Sequence, residues 1–101
     1  MAQFDVYENL NPKTNKEIPF LLDIQNDLLK NLATRVVVPL VVNMQPAKIL
    51  NPKFSVKGTQ VTMSTAELAG VSLRHLGPCI CSLEHKRDEI IAAVDFMITG
   101  F

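Results

Sequence analysis

Few residues of this chain are of types that do chemistry, and their spacing limits what they can do. There are two histidines, His75 and His85, and two cysteines, Cys79 and Cys81. A nucleophile–base pair needs a histidine against a Ser or Cys, oriented by a third group. Neither histidine stands in such a signature: His75 falls on an expected strand and His85 in the first turn of an expected helix. Cys79-x-Cys81 with His85 falls short of the four ligands zinc usually takes and of its usual cysteine spacing. Two cysteines one residue apart on a strand share a face and would close only a strained disulfide. They are expected to be free thiols that pack against the helix, with no metal. Asp23 and Asp27 are four apart, but across a strand–turn junction, which is weak ground for an acid–base pair. The four glycines are scattered, so no loop cradles phosphate. The expectation is no catalytic residue, no metal and no cofactor.

The second candidate is the C-terminal run Asp95-Phe96-Met97-Ile98-Thr99-Gly100-Phe101. A helix docked on a sheet accounts for Ile90, Ile91, Val94 and Ile98. It does not readily absorb Met97, Ile98 and Phe101 together. That surplus of large apolar groups at a chain end marks a surface that meets another protein.

The elements that position these residues follow from periodicity. Strands are expected at residues 3–8, with Phe4 and Val6 on one face and Asp5 and Tyr7 on the other, and at 19–25. Residues 9–16 are a polar loop, and 27–33 a turn carrying Leu28 and Leu29. Residues 35–42 are rich in β-branched side chains and apolar on both faces, which predicts a buried central strand bent or bulged at Pro39. Residues 43–53, with Pro46 and Pro52, are irregular. Residues 54–56 and 61–63 form a hairpin around Lys57-Gly58-Thr59-Gln60. One helical turn follows at 65–69, then a last long strand at 71–76, broken by Gly77-Pro78, with a short extension at 79–81. From Leu83 to Ile98 the apolar spacing turns to three and four residues. Ser82 is the expected N-cap and Gly100 the stop. The fold class is mostly β with one C-terminal α-helix, in one domain spanning residues 1–101.

Length and composition agree. A 101-residue chain buries roughly 60–70% of its unfolded surface, so a second copy would add stability. The hydrophobic fraction is 48%, and ten basic residues balance ten acidic ones. No basic stripe runs along the chain, which argues against direct nucleic-acid binding. The start, Met1-Ala2-Gln3-Phe4-Asp5, lacks signal-peptide character. The longest apolar run, residues 36–42, is too short for a membrane span. A cytoplasmic location without membrane association is expected, which also suits free thiols.

The sequence resembles the CcdB toxin family from end to end. Gln3-Phe4-Asp5-Val6-Tyr7 matches its opening. Leu22-Asp23-Ile24-Gln25-Asn26-Asp27-Leu28-Leu29 and Thr34-Arg35-Val36-Val37-Val38-Pro39-Leu40 match two further segments, in order and at similar spacing. Met63-Ser64-Thr65 through Gly70-Val71, and Glu89 through Gly100, match the rest. The resemblance implies an SH3-like barrel of CcdB/MazF type, an antiparallel sheet with a small extra sheet and a long C-terminal helix. It implies a homodimer that binds the A subunit of DNA gyrase and traps the enzyme on cleaved DNA, and that a CcdA-type antitoxin neutralises, as in plasmid maintenance. The gyrase-binding positions carried over are Leu28, Leu29, Asp95, Thr99, Gly100 and Phe101; those of the dimer interface are Met97, Ile98 and Phe101.

Some of these depart from the family pattern. Thr99 stands where the best-known member has a tryptophan stacked on a gyrase arginine, a contact worth roughly 0.5–2 kcal/mol. Asp95 replaces asparagine, and Phe101 replaces isoleucine. Two alternatives follow. One is a degenerate chromosomal relative that folds and binds antitoxin without toxicity. The other is a MazF-like messenger-RNA endoribonuclease, whose N-terminal Arg-Gly-(Asp/Glu)-(Ile/Val) strand is missing here.

Overall fold

Among the described residues, alternating apolar side chains and tight turns build seven strands into one sheet. The computed structural model describes residues 2–29, 31–44 and 50–100. The strands are β1 (Asp5–Asn9), β2 (Phe20–Asp23), β3 (Thr34–Val41), β4 (Lys53–Val56), β5 (Thr59–Met63), β6 (Ala69–Ser72) and β7 (Leu76–Ser82), followed by the helix α1 (Arg87–Thr99). Neighbours run β4-β5-β3-β2-β1-β7, with β6 a side branch on β3, and every pairing is antiparallel. The result is a curled half-barrel with one C-terminal helix, consistent with an SH3-like barrel.

Because side chains alternate across a strand, the sheet carries an apolar cluster on each face. Val6, Leu22, Val38 and Leu40 join Phe4, Phe54, Val56, Val61 and Met63 on the inner face, where Leu83, Ile90 and Ala93 cover them. Tyr7, Leu21, Val37 and Leu76 form a smaller cluster on the other face, flanked by Ile18 and Val71. Burial of the Tyr7 hydroxyl, with Asp5 and Asp23 nearby, pushes its pKa far up.

The central strand β3 changes partner along its length. Residues 34–37 pair with β6 and residues 40–41 with β5, while β2 lies along the other edge. Val36 faces β2, since its carbonyl accepts from Ile24 N–H and its N–H donates to Gln25 Oε1. Pro39, an odd number of residues on, therefore faces the opposite edge. Its missing N–H falls at the junction between β6 and β5, where no ladder donor is required, and its carbonyl accepts from Ser64 N–H. The expected bend at Pro39 is this change of neighbour.

Four expected boundaries shift for identifiable reasons. The β4–β5 connection is a two-residue turn, Lys57-Gly58, with φ of +48° and +78°, the pattern that matches strand twist; Thr59 and Gln60 belong to β5. The last long strand is Leu76–Ser82, not 71–76, which splits into β6 and a 3₁₀ turn at Leu73–His75. Gly77-Pro78 does not break β7. Asn9 pairs with Leu76 and Tyr7 with Cys79, so a bulge absorbs the proline. Gly77 permits it, because a Cβ there would lie 2.9 Å from the Glu8 carbonyl oxygen. The helix is also shorter than expected. A 3₁₀ turn at Glu84–Lys86 precedes it; Lys86 and not Ser82 stands at the helix N-cap, and Ser82 Oγ accepts from Glu84 N–H at 3.2 Å one residue ahead of the turn's own N-cap, Leu83. On α1, Ile90 and Ala93 are buried and Val94 packs against them, while Ile91, expected inside, is exposed.

β3 is also not apolar on both faces. Arg35, opposite Val71 of β6 in the ladder, is fully buried beside Asp23 of β2. Arg35 Nε donates to Asp23 Oδ2 at 2.8 Å, and Nη2 sits 2.6 Å from the same oxygen, an ion-pair contact without hydrogen-bond geometry. Gln25 N–H donates to Asp23 Oδ1 at 3.0 Å. The Asp23 main chain accepts from Phe4 N–H, and the Phe4 carbonyl accepts from Leu83 N–H, so a chain of bonds runs from the pair to the start of the helical segment. Phe4 adopts φ +73° within this bridge, a conformation costing on the order of 1–3 kcal/mol.

Removing either member of a buried pair strands the other charge, at about 3–5 kcal/mol. Arg35→Met and Asp23→Leu are each expected to lose that much in urea unfolding, and the double variant to lose less than either alone. Burial pushes the Asp23 carboxyl up, while hydrogen bonds from Arg35 and Gln25 and the Arg35 charge pull it down. Without Arg35 the carboxyl rises further. A group raised on folding stabilises below its unfolded value and loses that contribution as pH rises through its folded value. Arg35→Met should therefore be more stable near pH 5 than near pH 7.5; a flat profile would contradict this assignment.

Candidate protein-binding site

The C-terminal helix ends as its residues dictate. Thr99 Oγ1 donates to the Asp95 carbonyl at 2.7 Å, and Gly100, at φ +79°, turns its N–H back to the Phe96 carbonyl at 2.9 Å. The left-handed conformation favours glycine, and the space around Gly100 is open. Asp95, Ile98, Thr99 and Gly100 are exposed, Ile98 to 70%, while Phe96 and Met97 are half-buried. Phe101 lies outside the described residues. An isoleucine so exposed at a helix end contributes little to this chain's own core.

The second exposed apolar group is the 3₁₀ turn Asp27–Leu29. Leu28 is 90% exposed, and Leu29 and Leu32 are about half exposed, each at 51%. This turn is not among the main neighbours of α1, which are the Thr65–Glu67 and Glu84–Lys86 turns. The two groups of carried-over positions thus remain separate surfaces within one chain. Leu32 was not singled out from the sequence, although its place two residues before β3 could have marked it.

The turn is tied to the polar cluster beneath it. Gln25 Nε2 donates to the Leu29 carbonyl at 2.8 Å, while Gln25 Oε1 accepts from Val36 N–H. Asp27 Oδ1 accepts from Gln3 N–H at 2.7 Å and lies 4.0 Å from Arg35 Nη2. Asn26 caps the turn, accepting from Leu28 N–H. Asp23 and Asp27, set aside as an acid–base pair, both face the Arg35 guanidinium. Sequence reasoning missed Arg35 and Gln25; the signal was an arginine within a β-branched strand, opposite an aspartate strand.

The histidines are apart from this. His75 and His85 are both exposed. His75, Arg74, Lys13, Leu10, Asn11 and Pro12 line a shallow hollow of about 330 Å³. A larger hollow of about 490 Å³ is lined by Val42, Asn43, Met44, Lys53, Gln60, Val61 and Thr62. Neither brings a nucleophile to a base. Among the described residues, no group of three His, Cys, Asp or Glu is placed to hold a metal. No helix among them is long and apolar enough to cross a membrane.

The cysteines do not share a face, contrary to the spacing argument. Val6 pairs with Cys81 and Tyr7 with Cys79, so a bulge at Ile80 puts the two thiols on opposite sides of β7. Cys81 packs against the inner cluster, and Cys79 is exposed; both are free.

The family model of the CcdB protein matches residues 3–100. The chain belongs to the CcdB family. Its fold is shared with solved structures at low identity. An endoribonuclease in complex with its cognate antitoxin, from Mycobacterial species, superposes with a TM-score of 0.79 at 12% identity, covering 97% of this chain and 94% of that one. A second endoribonuclease from Mycobacterial species gives 0.76 at 12% identity, covering 97% and 90%. This CcdB-family chain therefore has a toxin–antitoxin fold, and its helix end and leucine turn are the surfaces to which the family resemblance assigns contacts.

Burial, then the charge of Asp5, raises both thiols above their ordinary value. Since the thiolate is the reactive form, iodoacetamide should modify the folded protein more slowly than the urea-unfolded chain at pH 8, and the gap should narrow as pH climbs past the raised values. Faster labelling of the folded form would show the assignment to be wrong.

Proposed function

We propose that this chain is the toxin of a type II toxin–antitoxin module, a homodimer that binds the DNA gyrase A subunit and traps the gyrase–cleaved-DNA complex. It acts by binding, with no covalent chemistry: it selects a conformation that gyrase visits transiently. The observation that carries this reading is the exposed apolar helix end, Ile98 beside a left-handed Gly100, in a chain matched to the family over residues 3–100. The gyrase contacts are Leu28, Leu29, Asp95, Thr99, Gly100 and Phe101, and Met97, Ile98 and Phe101 contribute to the dimer interface. A CcdA-type antitoxin, disordered when free, folds over α1 and competes with gyrase. The site of action is cytoplasmic, and the toxin alone binds no nucleic acid.

A second reading has one observation behind it. The solved structures of this fold described above are endoribonucleases, and the Lys13–Arg74–His75 hollow has the charge that a phosphodiester would need. Against it, Arg35 is fully buried in an ion pair, and neither described hollow sets a nucleophile against a base.

One assay separates them. Purified protein with gyrase, plasmid and ATP is expected to yield linear DNA after denaturation, and to leave RNA intact. Deleting residues 99–101 should abolish linearisation while melting within a few degrees of the parent, since the Thr99 and Gly100 bonds are local to the helix end. Linear DNA from the truncated chain would refute the helix-end mechanism; RNA cleavage lost in His75→Ala would favour the endoribonuclease.

Light scattering at micromolar concentration should give the dimer mass, because this small fold leaves Leu28, Leu29 and Ile98 to solvent. Monomer mass alone would remove the dimer from the proposal.

A further inference from the structure

An exposed leucine pair in a loop is a poor docking element unless its backbone is held. Ordering a mobile segment on binding costs free energy that a pre-ordered one has already expended. Leu28 and Leu29 sit on a single 3₁₀ turn with no buried residue of its own, so packing within the turn does not fix it. Among the described residues, its ties to the rest of the fold include polar bonds through Gln25 and Asp27.

We propose that Gln25 and Asp27 are positioning residues that clamp the Leu28–Leu29 turn to the buried Asp23–Arg35 pair and so present the two leucines to a protein partner in one fixed arrangement. The inference rests on the gyrase reading for the identity of that partner, and on geometry for the clamp. Gln25 is itself buried, and its amide works at both ends: Oε1 takes the Val36 N–H on β3, and Nε2 gives to the Leu29 carbonyl at 2.8 Å. The turn's exit is therefore tied to the central strand through one planar side chain. Asp27 holds its entrance. Its Oδ1 takes the Gln3 N–H at 2.7 Å and stands 4.0 Å from Arg35 Nη2, while Gln3 Nε2 gives to the Ile24 carbonyl.

The anchor is rigid because it is buried and charged. Arg35 and Asp23 are both 0% exposed, and neither can swing out without leaving its partner desolvated and unpaired. Asp27, by contrast, is 57% exposed, so it can be altered without opening the core. Three backbone donors report on the turn: Leu28 N–H to Asn26 Oδ1, Leu29 N–H to the Asn26 carbonyl and Leu32 N–H to the Leu29 carbonyl. A residue that merely stabilised the fold would change global unfolding. A positioning residue changes exchange at these amides and partner affinity, and at the exposed Asp27 it does so while leaving the unfolding midpoint nearly unmoved.

The test uses Asp27→Ala, which loses both the Gln3 bond and the charge, Asp27→Asn, which keeps an acceptor for Gln3, and Gln25→Glu, which keeps an acceptor for Val36 but loses the donor to Leu29. NMR amide exchange of Leu28, Leu29 and Leu32 is measured beside binding to the purified gyrase A subunit. Faster exchange at these amides and about tenfold weaker binding are expected for Asp27→Ala and Gln25→Glu, with Asp27→Asn restoring most of both. Unchanged exchange in both variants overturns the clamp, as does faster exchange with unchanged affinity in a parent that binds gyrase. If the parent itself does not bind gyrase A, the functional reading falls, and the exchange rates alone decide the clamp: faster in both variants supports it, unaltered overturns it.

Discussion

A guanidinium and a carboxylate placed wholly out of water constrain everything around them. Desolvating each ion costs several kcal/mol, which only close contact and further hydrogen bonds offset. Arg35 and Asp23 therefore favour one register of β3 against β2, because a slip of one residue in either strand would turn its charge to the other face, away from its partner. The consequences spread along the main chain. Asp23 holds Phe4 in its left-handed conformation, and Phe4 holds Leu83, where the chain leaves the sheet for the helix. Gln25 and Asp27 extend the same cluster outwards to the leucine turn.

What the fold builds on this base includes two exposed apolar surfaces, the leucine turn and the helix end. The sheet buries apolar residues on two faces, one of them under α1, and leaves Leu28, Leu29, Leu32, Ile91 and Ile98 outside. Family membership rests on the match over residues 3–100. The likeness to endoribonucleases, at 12% identity, speaks to the shared fold alone, since a fold hosts several functions and the site decides among them.

Much of the architecture was legible in the sequence, for a physical reason: periodicity is local. The alternation in β1, β2 and β3, the Lys57-Gly58 turn, the change to helical spacing after Leu83 and the Gly100 stop are each written within a few residues. The helix-end residues were legible as apolar groups in excess of what a core can use, whereas Leu28 and Leu29 were placed on a turn and their contact role came only from the family resemblance. Boundaries were read less well. Gly77-Pro78 looked like a break because proline usually ends a central strand, yet β7 is an edge strand and a bulge admits it.

The sequence by itself determined the mostly β composition with a terminal helix, the apolar helix end and, through its matching segments, the family. Only the tertiary structure decided that Asp23 and Arg35 meet, that Gln25 bridges β3 to the Leu29 carbonyl, and that Cys79 and Cys81 face apart. The reason is the same in each instance. Residues twelve apart in the chain meet only when strand register brings them together, and register is a property of paired strands that neither strand carries alone.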